Sequence, residues 1–349
     1  MIDREKTWRR KTVLVSGNTV ADRIHLLSRD LSEDAKYVFP SQDGNTAAAV
    51  AKRHGLDLSQ APDVLIPGGQ GATPADFLAT RNKVFFVGPI GNNDDAAFIE
   101  KDFKANGIDT SYAPRCDAEH FRADVFVGTN ATRLILMYKD PNLRCDDVAL
   151  DWIEREKPDV IYLDGNEPAL ALRLAQKGKA FGIPVVCDLE DLNKPLEFLD
   201  YVDVLIAPAK VMKELGKTDD IEEALQSVSD RGFAAVVSTQ GERGCVGVCG
   251  KELVRLDRVK VDVKDTTGAG DTFHAAFVDA MLSGCGFYEC MEFANRLAAL
   301  NCTFVGGRMP KDFIRGEMPP QSGGLFDPLI WLGLRPSVKL EVLGGDYHL

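Results

Sequence analysis

The sequence of 349 residues lacks the features that mark membrane, secreted and zinc-binding proteins. It has no run of about 18 apolar residues and no apolar segment behind its charged N-terminus, so neither a membrane span nor a signal peptide is expected. None of the eight cysteines forms a C-x-x-C pair, and the five histidines show no metal-ligand spacing. These absences predict reduced thiols and a cytoplasmic location.

Two nucleotide-binding motifs and a surplus of positive charge are also absent. The sequence has no G-x-x-x-x-G-K-[ST] string, which excludes a P-loop enzyme. Its first apolar run leads into GNTVAD instead of G-x-G-x-x-G, which argues against a Rossmann dehydrogenase. The formal net charge of -12 opposes binding to nucleic acid or to an anionic membrane. An anionic ligand must therefore be held by local donors.

Short apolar runs that alternate with helical patterns are what the sequence does contain. Apolar runs predict strands at 11–19, 84–88, 159–164, 184–188, 203–207 and 234–238. Helical patterns lie at 94–106, 168–180, 209–215, 220–231, 269–283 and 289–303. This alternation indicates βαβ units. The predicted fold class is α/β, with a mostly parallel sheet sandwiched by helices.

A second group of strands interrupts this alternation. Residues 121–127 and 133–138 flank GTNAT and predict an antiparallel hairpin. Residues 36–40 and 63–66 are its possible partner strands. We expect these segments to form a small β-sheet outside the main one, able to close over a site.

The domain organisation follows from these segments. We predict one domain at 11–315, with a lid drawn from about 36–66 and 121–138. Residues 316–349 are rich in glycine and proline and predict an irregular tail. Because an exposed edge strand can pair with another chain, a homodimer through the lid is possible.

The string DTTGAGDTF carries the strongest chemical signal. Gly268, Ala269 and Gly270 let the backbone turn into a helix, whose first N–H groups have no intrahelical partners and can bind an anion. Asp271 follows in the first helical turn, where a carboxylate could take a proton from a hydroxyl. Together these features predict phosphoryl transfer, whereas the small residues alone indicate only a capped helix start. His274 is expected to be packed or solvent-exposed instead of catalytic.

This string resembles the second signature of the PfkB (ribokinase-like) carbohydrate kinase family, and the resemblance extends along most of residues 11–310. It implies a ribokinase-like fold and an ATP-dependent kinase that phosphorylates a hydroxyl, expected to be primary, of a small carbohydrate. ATP and Mg²⁺ are the implied cofactors. Asp271 is the implied general base. The implied anion hole is Gly268, Ala269 and Gly270, with Gly270 also next to the nucleotide.

Two further strings imply substrate ligands. SGNTVADRI and IPGGQGATPADFLATR resemble substrate-binding segments of the family. The implied ligands are Asn18, Asp22, Gly68, Gly69, Gln70 and Thr73. The ionised carboxylate of Asp22 can accept two hydroxyls, which suits a vicinal diol. Thr73 departs from the pattern, because the family usually has asparagine there.

The string VVSTQGERGCVGV resembles the loop that borders the nucleotide in ribokinase-like kinases. The implied nucleotide-binding residues are Thr239, Gln240, Gly241, Glu242, Arg243 and Gly244. Asn295 falls where the family has a polar residue near adenine. A plain strand–turn–strand hairpin and a surface asparagine are the alternative interpretations of these segments.

One departure bears on the metal and on the branch of the family. Ala209 and Met212 stand where many members have the Asn and Glu of an N-x-x-E motif that organises Mg²⁺, so the metal ligands are unknown. Metal coordination would then rest on Asp188, Glu190 or water-mediated contacts. The ketohexokinase-like branch lacks that motif too and has a lysine there, as Lys210 is here. Arg133 matches an arginine near substrate in that branch. These features lean toward the ketohexokinase-like branch and favour a ketose.

Other functions stay open on the sequence alone. The same family includes nucleoside kinases, which need an aromatic wall for the base, and the hairpin offers Phe121, Phe126 and Tyr138. A sugar-acid kinase would use the same residues. A non-catalytic metabolite-binding relative is a further alternative, motivated by Ala209, Met212 and the tail.

Overall fold

The computed structural model describes residues 10–144 and 148–317, which form fourteen β-strands and ten α-helices. In chain order the strands are β1 (Thr12–Ser16), β2 (Val20–Leu26), β3 (Ala35–Pro40), β4 (Val64–Gly68), β5 (Lys83–Phe86), β6 (Ile108–Asp109), β7 (Arg122–Val127), β8 (Arg133–Lys139), β9 (Val160–Leu163), β10 (Val185–Asp188), β11 (Val204–Pro208), β12 (Ala235–Thr239), β13 (Cys245–Cys249) and β14 (Glu252–Leu256). The helices are α1 (Gly44–Arg53), α2 (Gly69–Ala79), α3 (Asp94–Ala105), α4 (Trp152–Glu156), α5 (Pro168–Phe181), α6 (Ala209–Gly216), α7 (Ile221–Ser229), α8 (Ala269–Leu282), α9 (Phe287–Asn301) and α10 (Lys311–Gly316). The predicted tail at 316–349 lies almost wholly outside the described residues.

The main sheet has nine strands in the order β14-β13-β12-β11-β10-β9-β1-β5-β6. Its strands from β12 to β6 run parallel, and β13 and β14 add antiparallel pairs at one end. The parallel strands are nearly continuous apolar runs because helices cover both of their faces. One face packs on α2, α8 and α9, and the other on α5 and α7. The predicted α/β class is confirmed.

A separate sheet of five strands has the order β3-β8-β7-β2-β4 and forms the lid. The predicted hairpin is the antiparallel pair β7–β8, and the predicted partner strands are β3 and β4. Strand β2 pairs with both β4 and β7 and was not predicted. Its sequence, VADRIHL, does not alternate cleanly between apolar and polar residues, because both faces of this strand are covered.

The two faces of the lid sheet have different neighbours. Helix α1 packs on one face, against Phe126, Leu134 and Tyr138. The opposite face carries Ile24 and Val125 in a second apolar cluster and is turned toward the main sheet. A cavity between the lid and the main sheet is lined by Lys139 of the lid and by Asn18 and Asn166 at the edge of the main sheet. None of the described helices is long and apolar enough to cross a membrane.

Candidate active site

The carboxyl edge of the main sheet positions the residues of the site. Parallel strands end at the same edge of a sheet, and ligands bind in the crevice outside that edge. The strand order places the ends of β1, β9, β10, β11 and β12 along the edge in succession. The residues at or just after these ends are Asn18, Asp164, Asp188, Ala209 and Gln240. The predicted sugar ligands and the predicted nucleotide loop therefore lie at opposite ends of one edge.

Helix α8 begins at the predicted anion turn. Gly268 has the left-handed φ of 67°, and a Cβ there would overlap the carbonyl oxygen of Gly307 and lie 2.9 Å from its Cα. Only glycine fits this combination of backbone angle and close approach. The amide of Ala269 donates to Thr266 O at 3.3 Å, while a Cβ on the exposed Gly270 would meet only His274 Cε1, at 4.0 Å. The open side of the turn is therefore at Gly270.

Buried polar groups hold the anion turn in place. The carboxylate of Asp265, which is 0% exposed, accepts hydrogen bonds from Thr267 N (2.8 Å), Thr267 Oγ1 (2.7 Å) and Gly306 N (2.8 Å). Asn301 Nδ2 donates to Thr267 O at 2.9 Å. Thr267 is thereby fixed on both sides. The turn is preorganised, which is what charge stabilisation in a transition state requires.

Asp271 lies in the first turn of α8 and is partly buried. The pKa of its carboxyl is raised to about 7, mainly by burial and also by the neighbouring carboxylates of Glu190, Asp22 and Asp164, while Lys36 opposes them. A carboxyl with this pKa is a proton acceptor matched to neutral pH. The influence of Asp22 indicates that both carboxylates belong to one electrostatic environment.

Asp22 projects from β2 on the face of the lid that looks toward the main sheet. Burial raises the pKa of its carboxyl to about 7, against the charges of Arg308, Lys36 and Arg133, which lower it. A Cβ on Gly68 would overlap Asp22 Oδ2. The absence of a side chain at this position is therefore what leaves room for the carboxylate.

Asn18 and Gln70 are joined through Asp164 and Asn166. Asp164 Oδ2 accepts from Asn18 N (2.6 Å) and from Asn166 Nδ2 (2.8 Å), and Asn166 Nδ2 also lies 2.8 Å from Gln70 Oε1. Asn18 Oδ1 and Gln70 Nε2 are buried with no hydrogen-bond partner among the described residues. An acceptor and a donor thus stand unused beside the site, as ligand-binding groups do.

The remaining predicted substrate ligands differ in their surroundings. Gly69 has a φ of 92°, and a Cβ there would lie 2.8 Å from Asn18 O. Thr73 is 5% exposed and lies within α2, one turn after Gln70. Arg133 reaches from β8 to the anion turn, where its Nη1 donates to Thr267 Oγ1 at 3.5 Å, and its Nε is buried without a partner in the described chain.

The predicted nucleotide loop is a tight turn between β12 and β13. Gln240 N donates to Gly244 O at 2.8 Å, and the 3₁₀ turn Gly241–Arg243 between them is exposed. Gly244 has a φ of 86°, and a Cβ there would overlap Leu256 O. Asn295 Nδ2 donates to Asp257 O at 2.8 Å, which ties α9 to the chain after β14. The loop is therefore a hairpin in form, open to solvent on one side.

Residues without metal-binding side chains occupy the position of the missing N-x-x-E motif. Ala209 begins α6, and Met212 is 0% exposed in the core beneath the main sheet. No group of three His, Cys, Asp or Glu side chains able to hold a metal occurs within residues 10–144 and 148–317. The residues present do not form a metal site by themselves.

A family model for pfkB family carbohydrate kinases matches residues 46–312. The chain belongs to this family. Ribokinase from Bacillus subtilis is 30% identical over 257 residues, which span 70% of this PfkB chain and 85% of that protein. Deoxyribokinase from Salmonella typhi is 24% identical over 270 residues, spanning 68% of this chain and 82% of that protein. This PfkB protein is a carbohydrate kinase, a phosphotransferase with an alcohol group as acceptor.

Solved structures show that this PfkB kinase has the ribokinase-like fold. A putative ribokinase from Agrobacterium tumefaciens matches with a TM-score of 0.73 at 21% identity, covering 88% of this chain and 97% of that one. Adenosine kinase from Sinorhizobium meliloti matches with a TM-score of 0.73 at 22% identity, covering 89% and 100%. Ribokinase from Arabidopsis thaliana, solved with ribose and ATP, matches with a TM-score of 0.70 at 21% identity, covering 88% and 98%.

The relatives correct one prediction about this PfkB kinase. Its similarity in sequence is to a ribokinase and a deoxyribokinase, so the leaning to the ketohexokinase-like branch is not supported. Arg133 and the absent N-x-x-E motif are the features that suggest that branch. Short local matches of this kind carry less information than similarity along 257 residues.

Sequence reasoning considered Asp188 only as a candidate metal ligand and missed its contacts with Tyr162 and His274. Asp188 Oδ2 accepts from Tyr162 OH at 3.1 Å and lies 3.3 Å from Nδ1 of His274. Burial raises the pKa of Asp188 well above its ordinary value and lowers that of His274 to about 4, so the ring is neutral. The expectation that His274 is packed agrees with its 3% exposure. Asp164 and Arg308 were also missed, since only long-range contacts bring them to the site.

Proposed function

We propose that this chain transfers the γ-phosphoryl group of ATP to a hydroxyl, preferably primary, of a small carbohydrate bound between the lid and the main sheet. One observation carries the proposal. Asp271 lies in the first turn of a helix that begins at a preorganised turn, and its carboxyl shares an electrostatic environment with Asp22 of the lid. A base, an anion-binding turn and a hydroxyl ligand are the parts that phosphoryl transfer to an alcohol requires.

Asp22, Asn18 and the glycines of the β4–α2 turn would hold the sugar. The carboxylate of Asp22 would accept from two hydroxyls, and Asn18 Oδ1, which has no partner among the described residues, would accept from a third. Gly68 and Gly69 would let the backbone approach the sugar, with Gln70, Thr73 and Arg133 as further polar contacts. Binding by both the lid and the main sheet would close the lid and exclude water, which competes as an acceptor.

Asp271 would act as the general base. In the proposed step the hydroxyl proton passes to the Asp271 carboxylate while the oxygen attacks the γ-phosphorus in line. The bond from the γ-phosphorus to the β–γ bridging oxygen breaks, and ADP leaves. The turn Gly268, Ala269 and Gly270 would stabilise the charge on the migrating group, with Gly270 as its open side.

ATP would lie along the edge from Thr239 to Gly244 and near Asn295. The strand order supports this placement, because β11, β10 and β9 separate the nucleotide loop after β12 from the sugar ligands after β1. The γ-phosphate would lie between these two sets of residues, at the anion turn. Because ATP is the donor, we propose a cytoplasmic reaction. Mg²⁺ enters the proposal only as the ion that accompanies the ATP phosphates and neutralises their charge. It takes no other part in the proposed step, since the described residues do not form a metal site.

Acceptor-dependent release of ADP tests the proposal. The panel contains ketoses, aldoses, sugar acids, sulfonated sugars and nucleosides, each with ATP and Mg²⁺. We expect ADP release with at least one carbohydrate, and a loss of turnover in Asp271→Asn. The relatives give no support to a ketose preference, so ketoses and aldoses enter the panel on equal terms. Binding in a thermal-shift assay without ADP release would instead identify a non-catalytic metabolite-binding protein.

A nucleoside acceptor is the second candidate, and one side chain favours it. Phe121 lines a cavity beside Asn18, whereas Phe126 and Tyr138 are buried on the other face of the lid, against α1. Of the three aromatic residues considered from the sequence, only Phe121 could therefore form a wall for a base. Turnover of nucleosides above that of free sugars would establish this candidate. A Phe121→Ala variant would then lose its turnover of nucleosides.

We also propose a homodimer through the lid edges. Strands β3 and β4 are the two edges of the lid sheet, and Val38 and Leu65 on them are 54% and 43% exposed. Exposed apolar edge strands are adhesive. Light scattering after size-exclusion chromatography measures the mass, and a monomer at all concentrations would refute the dimer.

A further inference from the structure

The lid face that looks toward the main sheet carries a group of cations. Side chains alternate between the two faces of a strand, so residues of β8 at odd numbers share one face. Met137 on that face pairs with Ala123, which pairs with Asp22, and Ile135 pairs with Lys36. The charged residues on this face of β2, β3 and β8 are Asp22, Lys36, Arg133 and Lys139. One carboxylate is therefore accompanied by three cations.

Lys139 differs from the neighbouring lysines Lys36 and Lys194 in its counter-charge. Lys36 lies 4.0 Å from Glu190, and Lys194 of the main body lies 3.4 Å from Asp191. The described residues give Lys139 no carboxylate at ion-pair distance, and its ammonium instead lies 5.3 Å from the ring centroid of Phe121. Burial lowers the pKa of Lys139, and so do the charges of Lys36 and Lys194, while Asp164 and Asp191 oppose them. Lys36 and Lys194 thus both act electrostatically on Lys139.

A cavity of about 410 Å³ receives the Lys139 side chain. Asn18, Phe121 and Asn166 also line it, and its volume lies within the range of small-molecule sites. Asn18 is 5% exposed, and its Oδ1 has no partner among the described residues. Arg144 and two carboxylates, Asp140 and Glu167, line the cavity too, and the carboxylate of Asp140 already accepts from the amides of Glu119 (3.0 Å) and Asn142 (2.9 Å).

The cation group adjoins the reacting centre. Lys36 acts electrostatically on both Asp22 and Asp271 as well as on Lys139. Lys194 Nζ donates to Asn166 Oδ1 at 3.2 Å, and Asn166 is joined to Gln70. A ligand that fills the cavity next to Lys139 would therefore extend toward Asp22 and Asp271. A neutral sugar would leave the Lys139 ammonium without a counter-charge, whereas an anionic group would supply one.

We propose that the acceptor sugar carries a negatively charged group, and that Lys139 binds this group. The inference rests on the proposed kinase function and names the class of its substrate. A carboxylate, a sulfonate and a phosphate share the required chemistry, since each offers oxygens that accept from ammonium groups. The uncharged part of the sugar would present its hydroxyl to Asp271.

Paired acceptors test the inference. Gluconate and 2-ketogluconate supply a carboxylate, fructose 6-phosphate supplies a phosphate, and a fructose sulfonated at C6 supplies a sulfonate, with glucose and fructose as neutral parents. We expect one charged acceptor to exceed its neutral parent in kcat/KM by about 10- to 100-fold, the range for a hydrogen bond to a charged group. The type of anion that wins identifies the group.

Variants assign the effect to Lys139. Lys139→Met should lower kcat/KM for the charged acceptor by about 10- to 100-fold and leave the neutral parent within about twofold, whereas Lys139→Arg should retain most of the preference. Lys52→Met is the matched control, because Lys52 is an exposed lysine of lid helix α1. Thermal unfolding of each variant verifies that it is folded. Titration calorimetry of the charged acceptor into Asp271→Asn and Asp271→Asn/Lys139→Met measures binding without turnover.

The outcomes separate this inference from the kinase function itself. Turnover of neutral sugars above all charged ones, or an equal loss for both classes in Lys139→Met, would overturn the anionic acceptor and leave the kinase intact. Absence of ADP release with every acceptor would overturn the kinase. Binding of the charged acceptor to Asp271→Asn, weakened by Lys139→Met, would still support the anion site in that case.

Discussion

Gly68 and Asp22 lie side by side on the lid, so close that a Cβ at residue 68 would be 2.6 Å from Asp22 Cγ and would overlap Oδ2. A methyl group at this position must displace the carboxylate. The relationship makes the position of Asp22 testable without removing its charge.

We expect Gly68→Ala to lower kcat/KM by about 100-fold, because a displacement of the order of 1 Å in a substrate ligand costs about that much. Steady-state kinetics on the identified acceptor measure it. Gly44→Ala is the matched control, since a Cβ at Gly44 meets nothing within 4 Å and the residue lies in the first turn of α1. If Gly68→Ala and Gly44→Ala had the same kcat/KM, Asp22 would not hold the substrate.

The acid limb of the pH profile should report Asp271. Its carboxyl must be ionised to act as a base, and its pKa is raised to about 7, so we expect kcat/KM to fall as the pH drops below about 7. The charge of Asp22 contributes to that shift. Asp22→Asn should therefore move the limb to lower pH while weakening substrate binding. A limb in the same place in both proteins would show that the two carboxyls do not interact.

Asp271→Asn should separate catalysis from stability. We expect kcat to fall by about 100- to 10,000-fold through loss of the base. The pKa of Asp271 is higher in the folded chain (about 7) than its ordinary value of 3.8, so the folded state binds more protons and stability falls as the pH rises through that window. Removing the charge should therefore raise the melting temperature at about pH 8 and have little effect at about pH 4.

Thermal unfolding at both pH values measures this difference. The exposed Asp219→Asn serves as control, and it should change the melting temperature little at either pH. An Asp271→Asn protein less stable than the parent at the higher pH would contradict the burial of an ionised carboxylate.

Gly268→Ala should disrupt the anion turn by more than the backbone strain of a left-handed alanine, because a Cβ there also overlaps Gly307. Gly182 has a similar φ of 64° at the end of α5, but a Cβ there meets nothing within 4 Å. We expect Gly182→Ala to cost about 1 kcal/mol of stability from backbone strain and to leave kcat unchanged. Gly268→Ala adds the overlap with Gly307 and should lower kcat by about 100-fold, as the loss of an oxyanion donor does. Equal kcat values in the two variants would remove the turn from the mechanism.

The main sheet could be predicted because its signals are local. An apolar run of five residues such as TVLVS is long enough to identify a buried strand, and the glycine of DTTGAGDTF marks the start of α8 in the same way. Strand β2 escaped prediction because its pattern reflects two covered faces that only the assembled lid creates. Period and propensity do not carry that information.

The residues of the site also differ in whether local sequence identifies them. Asp271, Asp22 and the glycines lie in contiguous strings, so the resemblance of those strings identified them. Asp164 supports Asn18 from 146 residues away, and Arg81 pairs with Asp279 across 198 residues. The fold brings such partners together from distant parts of the sequence, and it brings together the charges around Lys139 in the same way. The electrostatics of the site therefore could not be read from one sequence.

The lid is made from two separate stretches of chain, residues 20–68 and 122–139, and its central pair joins β2 to β7. Closing a loop of about 100 residues is slow compared with forming a local hairpin or helix. We therefore expect the local β7–β8 hairpin and the helices to form early, and the reaction centre to be completed late in folding. A partly unfolded chain without the lid would lack Asp22 and would leave Asp271 open to water, so it should bind the acceptor sugar weakly and lose the exclusion of water that favours phosphoryl transfer to the sugar.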